Sequence, residues 1–376
     1  MPVPLTDLTA QYRSIKAEID AAMSRTLASG SFILGREVES FEKEAAAYCG
    51  AAHGVGVASG TDALHLALLA CGIGAGDEVL TTPFTFIATA ESVHKCGATP
   101  VFVDIDADTC NMDLGQMERH LTPRTTGIVP VHLYGHPCDM TRVMEFAAAH
   151  RLKVVEDCAQ SLGATWQGKK VGSFGDAGCL SFFPSKVLGA YGDGGMVVTN
   201  DAAIADHVRV LRSHGSRKKY FHDMPGFNSR LDSLQAAVLK VKLGHLDDWL
   251  NRRREIATAY ADLLRGVDGI SLLAERVGAR HIYNYYTVRV AGGARKRDAV
   301  ADYLKSCGIA TAVYYPRSLH LQPVYAVLSH HAGDFPVSEA AQDEVLSLPM
   351  YPELTDGQIA EVVSAIVSCP DLHSAR

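Results

Sequence analysis

The chain has 376 residues, of which 47% are hydrophobic and 20% charged, and its formal net charge is -7. That size suits two domains in an ordinary soluble protein. The acidic balance, with no basic run longer than Arg217-Lys218-Lys219 or Arg252-Arg253-Arg254, argues against nucleic acid as a partner.

No apolar run approaches the length of a membrane span, and the opening Met-Pro-Val-Pro-Leu-Thr-Asp lacks the basic-then-apolar shape of a signal peptide. The nine cysteines include no C-x-x-C pair and read as buried reduced thiols. A cytoplasmic protein without a membrane or metal site is expected.

Apolar residues recur at helical spacing over 7–28 (Leu8, Tyr12, Ile15, Ile19, Met23), and a second helix is predicted over 38–48. From Gly54 onward strand and helix alternate. Strands are predicted at 55–58, 78–82, 100–104, 127–132 and 153–157. Helices are predicted at 63–71, 87–96, 113–121 and 142–150. This alternation predicts an α/β fold, with a mostly parallel central sheet flanked by helices. Ligands of such sheets sit at the carboxyl ends of the strands, which gives the loops at Ser59, Thr82, His132 and Asp157 one shared address.

After the segment 202–211 and a polar loop to Asn228, further helices are predicted at 233–243 and 246–264, the last amphipathic through Trp249, Arg253, Ile256, Tyr260 and Leu263. It is read as the bridge from a large domain (1–245) to a small α+β C-terminal domain (246–376). There, strands at 283–290 and 310–315 and helices at 297–307 and 358–367 are predicted.

Five features stand at these loops. Lys186 lies in Ser-Phe-Phe-Pro-Ser-Lys-Val-Leu-Gly (181–189), where Pro184 turns the backbone from helix and an apolar entry promises partial desolvation. Desolvation lowers a lysine pKa, and a neutral amine attacks carbonyls. Asp157 ends a strand and reads either as a helix cap or as a buried carboxylate facing a cationic ring nitrogen, with Gln160 one turn on. Ser59-Gly60-Thr61 opens a helix and makes a phosphate cradle. Phe86 reads as core or as a stacking face, and Ser181 as a strand end or a phosphate ligand. Taken singly each has an ordinary structural explanation; as a set they are what pyridoxal phosphate requires.

The motifs Ser-Gly-Thr-Asp-Ala-Leu (59–64), Thr-Pro-Phe-Thr-Phe-Ile-Ala-Thr (82–89), Glu-Asp-Cys-Ala-Gln (156–160), Ser-Phe-Phe-Pro-Ser-Lys (181–186), Gly-Asp-Gly-Gly (192–195), Gly-Phe-Asn-Ser-Arg-Leu-Asp (226–232) and Tyr-Tyr-Pro-Arg-Ser-Leu-His-Leu-Gln (314–322) occur in order. With them the chain resembles, over nearly its whole length, the DegT/DnrJ/EryC1/StrS sugar aminotransferases of the aspartate aminotransferase fold (fold type I).

The resemblance implies pyridoxal 5'-phosphate as cofactor, with Lys186 forming the imine and Asp157 pairing with the pyridine nitrogen. Phe86 would stack on the ring, where the family more often has Tyr or Trp. Gln160 would approach the ring oxygen, and Gly60, Thr61, Asp62 and Ser181 would hold the phosphate. Asn228 would reach the phosphate of a neighbouring subunit in a homodimer with shared active sites. Arg230 would face substrate there or pair on the surface with Asp232. His320 and Tyr315 would line the sugar pocket, His320 being equally readable as a satisfied loop histidine. His214, Tyr220, His132 and Tyr134 would lie near substrate.

The implied reaction moves an amino group from glutamate to a nucleotide-linked keto-sugar. A 3-keto sugar such as UDP-N-acetyl-3-oxoglucuronic acid is favoured, with Arg230 reading its carboxylate, and a 4-keto-6-deoxy sugar is the alternative. Dehydratase relatives carry His at the imine position, which here is Lys186. A non-enzymatic regulator would need none of the set.

Overall fold

The computed structural model describes residues 2–373. Its centre is a seven-stranded sheet in the order His53–Val57, Gly195–Thr199, Ala177–Ser181, Lys153–Asp157, Thr125–Ile128, Glu78–Thr81, Thr99–Phe102. Every strand runs the same way except Gly195–Thr199, which is antiparallel to both its neighbours. These strands are short and largely buried, as expected where helices cover both faces. One covering layer brings Val38 and Phe41 of helix Arg36–Cys49 and Leu239 of helix Ser233–Leu243 against the sheet; the other brings Leu64, Leu66 and Leu68 of helix Gly60–Ala70.

A second, antiparallel sheet joins Ile270–Leu272, Tyr286–Val290 and Val345–Leu348. Helices Ala294–Ser306 and Asp356–Val367 pack on it, and so does the C-terminal half of Leu246–Leu264 through Ile256, Tyr260 and Leu264. The N-terminal half of that same helix puts Leu246 and Leu250 into the core of the large sheet. Val3, at the start of the chain, is fully buried in the small sheet's cluster. Among the described residues no helix is long and apolar enough to cross a membrane.

Four local expectations are corrected. The predicted helix over 7–28 is two helices, Leu8–Ser14 and Lys16–Ser29, broken at Ile15 (φ -120°, ψ 19°), beside which the Ser14 hydroxyl donates to Gln11 O. The predicted helix over 113–121 is only a 3₁₀ turn, Met117–His120; Asp113 accepts from the Gly115 N–H at 2.9 Å, and that turn competes with helix. The predicted strand over 310–315 is reduced to isolated bridges of Ile309 to Val3 and Ala312 to Ser347. The strand predicted from 283 begins at Tyr286, because Tyr283 has φ 50°.

Candidate active site

A cavity of about 320 Å³ opens where six strands end and Gly195–Thr199 begins. Lys186 stands in the loop between Ala177–Ser181 and Gly195–Thr199, closed by Lys186 N–H donating to Phe183 O at 2.9 Å. Only glycine fits at 189, where an added Cβ would lie 2.2 Å from Pro184 O. Two buried side chains pin the loop from behind. Lys242 donates to Gly189 O at 2.7 Å, and Asn284 Oδ1 accepts from the Val187 N–H at 3.2 Å.

Lys186 is half-buried, and what its side chain faces is the cavity rather than open solvent. Burial therefore lowers its pKa from 10.5 to about 8, against a smaller opposing pull from Asp157. Its Nζ has no hydrogen-bond partner among the described residues, and the Tyr285 ring centroid lies 5.7 Å away. Asp157 is buried on the opposite wall. Burial raises its pKa, offset in part by the Thr89 hydroxyl, which donates to Oδ2 at 2.7 Å, and by the Ala159 N–H at 3.1 Å. Among the described residues no cation lies within ion-pair distance of this carboxylate.

At the far end, Ser59 caps helix Gly60–Ala70 by accepting from the Asp62 N–H at 3.1 Å. The Gly60 and Thr61 N–H groups are left facing the cavity beside Ser181. The backbones here touch: an added Cβ on Gly60 would lie 2.6 Å from Ser181 Cβ, and one on Gly195 would lie 2.2 Å from Ser59 O. Gln160 has a fixed amide orientation. Its Oε1 accepts from the Tyr134 N–H at 2.7 Å and its Nε2 donates to Tyr315 Oη at 3.0 Å. Phe86 sits on the rim, 54% exposed, with its ring 6.0 Å from that of Tyr315.

The sequence-predicted set thus meets in one cavity for Gly60, Thr61, Phe86, Asp157, Gln160, Ser181, Lys186 and Tyr315. The others lie elsewhere. Asp62 turns its carboxylate to the Ser229 hydroxyl at 2.7 Å. Asn228 and Arg230 project outward, and Arg230 has no ion pair with Asp232, which instead caps helix Ser233–Leu243. His214 and Tyr220 are exposed near the hairpin Ser216–Lys218/Phe221–His222. His320 is buried against Phe335 with Nε2 3.1 Å from Glu339, away from the cavity.

His132, Glu156 and Cys158 cluster, buried, at the carboxyl end of the central strand Lys153–Asp157. His132 Nδ1 accepts from the Cys138 N–H, so Nε2 carries the proton toward Glu156, whose oxygens also accept from Gly172, Phe174 and Gly175 N–H groups. These lone pairs are occupied, and the cluster is structural. Sequence reasoning missed Thr89, Ser185 and Tyr285. Thr89 closes the 82–89 motif, and its place one turn after Phe86 was the available signal.

The sequence model of the DegT/DnrJ/EryC1/StrS aminotransferase family matches residues 13–367. The chain belongs to this family. Among its relatives, a "pleiotropic regulatory protein" of Geobacillus stearothermophilus is 49% identical, covering 97% of this chain and 98% of the relative. A UDP-N-acetyl-3-dehydro-alpha-D-glucosamine 3-aminotransferase of Acidithiobacillus ferrooxidans is 48% identical, covering 97% of each. A UDP-2-acetamido-2-deoxy-3-oxo-D-glucuronate aminotransferase of Pseudomonas aeruginosa is 41% identical, covering 97% and 100%. The crystal structure of S. venezuelae DesV in complex with a ketimine intermediate superposes with a TM-score of 0.96 at 44% identity over 100% of both chains. That of ntda from Bacillus subtilis, with bound cofactor PMP, gives 0.87 at 31% identity over 94% and 81%. As a member of the DegT/DnrJ/EryC1/StrS aminotransferases, the chain is an aminotransferase with the fold expected from its alternating strands and helices.

Proposed function

We propose that this aminotransferase works with pyridoxal phosphate and transfers an amino group from glutamate to a nucleotide-linked 3-keto sugar. The observation that carries the reading is Lys186, an amine held in a cavity without a hydrogen-bond partner and with its pKa brought down to about 8. The residues fit the cofactor. Asp157 is a buried carboxylate without a cation, and Gly60, Thr61 and Ser181 form a cradle that a Cβ at Gly60 would fill.

When bound, the cofactor supplies an electron sink for the carbanion formed at the donor's α-carbon. Lys186 Nζ is the nucleophile that holds the cofactor, and once released it carries the proton removed from and returned to carbon. Asp157 keeps a proton on the ring nitrogen, Gln160 Nε2 donates to the ring oxygen, and Phe86 covers the ring face. The Gly60 and Thr61 N–H groups and Ser181 bind the phosphate.

The relatives named for 3-keto sugars support C3 as the aminated position. Arg230, an outward-facing guanidinium without an ion-pair partner, supports the uronic acid, whose carboxylate it would read in the partner's site. That placement requires a homodimer with shared sites. It also accounts for Leu27, Phe32, Ile33, Phe183 and Phe227, all large apolar side chains left exposed. Tyr315 faces the sugar in its own subunit, and His214 and Tyr220 approach it from the partner. We propose the division of the chain at 245/246 as architectural.

The test is transamination with glutamate against a panel of nucleotide keto-sugars, with the amine located by NMR. Amination of UDP-N-acetyl-3-oxoglucuronic acid at C3 is expected. Reaction only with a neutral 3-keto sugar would remove the role given to Arg230, and reaction only at C4 would remove the 3-keto assignment. A regulator without cofactor, as one relative's name suggests, would retain no imine absorbance once unbound cofactor had been removed.

A further inference from the structure

Burial alternates along residues 228–231, so successive side chains point in opposite directions. Ser229 and Leu231 are 2% and 1% exposed, whereas Asn228 is exposed and Arg230 half-buried. The inward pair is firmly seated. Leu231 packs on Gly56, where an added Cβ would lie 3.0 Å from the leucine Cβ. The Ser229 hydroxyl accepts from the Ala58 N–H at 3.2 Å and donates to Asp62 Oδ2 at 2.7 Å, while its backbone N–H donates to Arg212 O at 3.0 Å. The outward side chains of Asn228 and Arg230 have no hydrogen-bond or ion-pair partner among the described residues and line no part of their own cavity.

Asp62 therefore joins two structures. Its backbone N–H completes the cap of the helix whose first amides form the phosphate cradle, and its carboxylate grips the segment that carries Asn228 and Arg230. Resting on the shared-site dimer proposed above, we infer that Ser229 is a positioning residue acting across the subunit boundary. Its hydrogen bond to Asp62 sets the reach of Asn228 and Arg230 into the partner's cavity. A hydroxyl–carboxylate bond is among the stronger neutral-to-charged contacts, and it fixes a segment that is otherwise free on its outward side.

Hybrid dimers made by co-expressing two differently tagged chains test this. Lys186→Ala in one chain leaves a single site able to hold the cofactor covalently, and its visible absorbance during titration of the apo hybrid gives the affinity of that site alone. With Ser229→Ala on the Lys186-bearing chain, the affinity is expected to match the control hybrid. With Ser229→Ala on the Lys186→Ala chain, it is expected to fall on the order of ten-fold. The reverse pattern, or equal loss in both, would overturn the inference.

Asp62→Asn, which keeps the shape and weakens the acceptor, is expected to give the same asymmetry and guards against a misfolded serine variant. Asn228→Ala in the same pair of hybrids separates the two readings. If it acts in trans while Ser229→Ala acts in cis, only the Ser229 role fails; if Asn228→Ala acts in cis, or no hybrid forms, the shared-site dimer fails.

Discussion

Thr89 donates its hydroxyl hydrogen to Asp157 at 2.7 Å from the first turn of helix Ala88–Lys95, so the carboxylate at the end of one strand is held by a helix from across the sheet edge. Burial raises the Asp157 pKa and this hydrogen bond lowers it. Thr89→Val keeps the volume and removes the donor, so the pKa rises further and ionisation needs a higher pH. The acid limb of the pH–rate profile is expected to move to higher pH, with cofactor affinity reduced on the order of ten-fold. An unmoved acid limb in steady-state kinetics would remove Asp157 as the titrating group.

Lys186 has a folded pKa of about 8 against 10.5 for the free side chain. The unfolded chain therefore binds this proton more tightly than the folded apo protein. The resulting penalty is full below pH 8, shrinks between pH 8 and 10.5, and is gone above. Lys186→Met keeps the stem without the charge. Its apo form is expected to melt above the wild-type apo protein at pH 7, with the two curves converging toward pH 10.5, while transamination is abolished. Differential scanning calorimetry across that range reads the first effect.

Gly195 and Gly192 separate two kinds of glycine. A Cβ on Gly195 would meet Ser59 O at 2.2 Å and Gly60 N at 2.7 Å, both backbone, whereas one on Gly192 would meet only the amide tip of Gln235 at 3.2 Å. Gly195→Ala is expected to cost about 3 kcal/mol and to spoil the cradle, so that phosphate and cofactor affinity fall with stability. Gly192→Ala is expected to stay near wild type in chemical denaturation. Equal costs would mean that the strand can shift away from the cradle.

Arg230→Ala is expected to raise KM for a uronic acid substrate at least ten-fold while leaving that for a neutral 3-keto sugar near its wild-type value, since only the former loses a charge partner. Equal effects on both substrates would assign Arg230 to the dimer contact instead.

Five of the parallel strands were legible because each is a short apolar run alternating with a helical stretch. The pair Ala177–Ser181 and Gly195–Thr199 was not, although it flanks Lys186. In Ala177–Ser181 an added Cβ on Gly178 would lie 2.4 Å from Gly172, and the small residues such close backbone contact requires leave no β-branched side chain to mark the strand, while Gly195–Thr199 opens on the last of the loop's glycines. The cavity residues were legible through the spacing of 59–64, 156–160 and 181–186. Asp62 and His320 lie elsewhere because each has a partner distant in sequence, Ser229 and Glu339, that no local pattern announces. The helix over 113–121 failed for the opposite reason, a purely local turn at Asp113 that competes with the helix.

One nineteen-residue helix, Leu246–Leu264, supplies side chains to the cores on both sheets. A cut at its start would leave the places of Leu246 and Leu250 vacant in one fragment and those side chains bare in the other. Neither piece is then expected to hold its native packing alone. Amides on both sheets are accordingly expected to share one slowest class in hydrogen exchange, and the whole chain to melt in a single step.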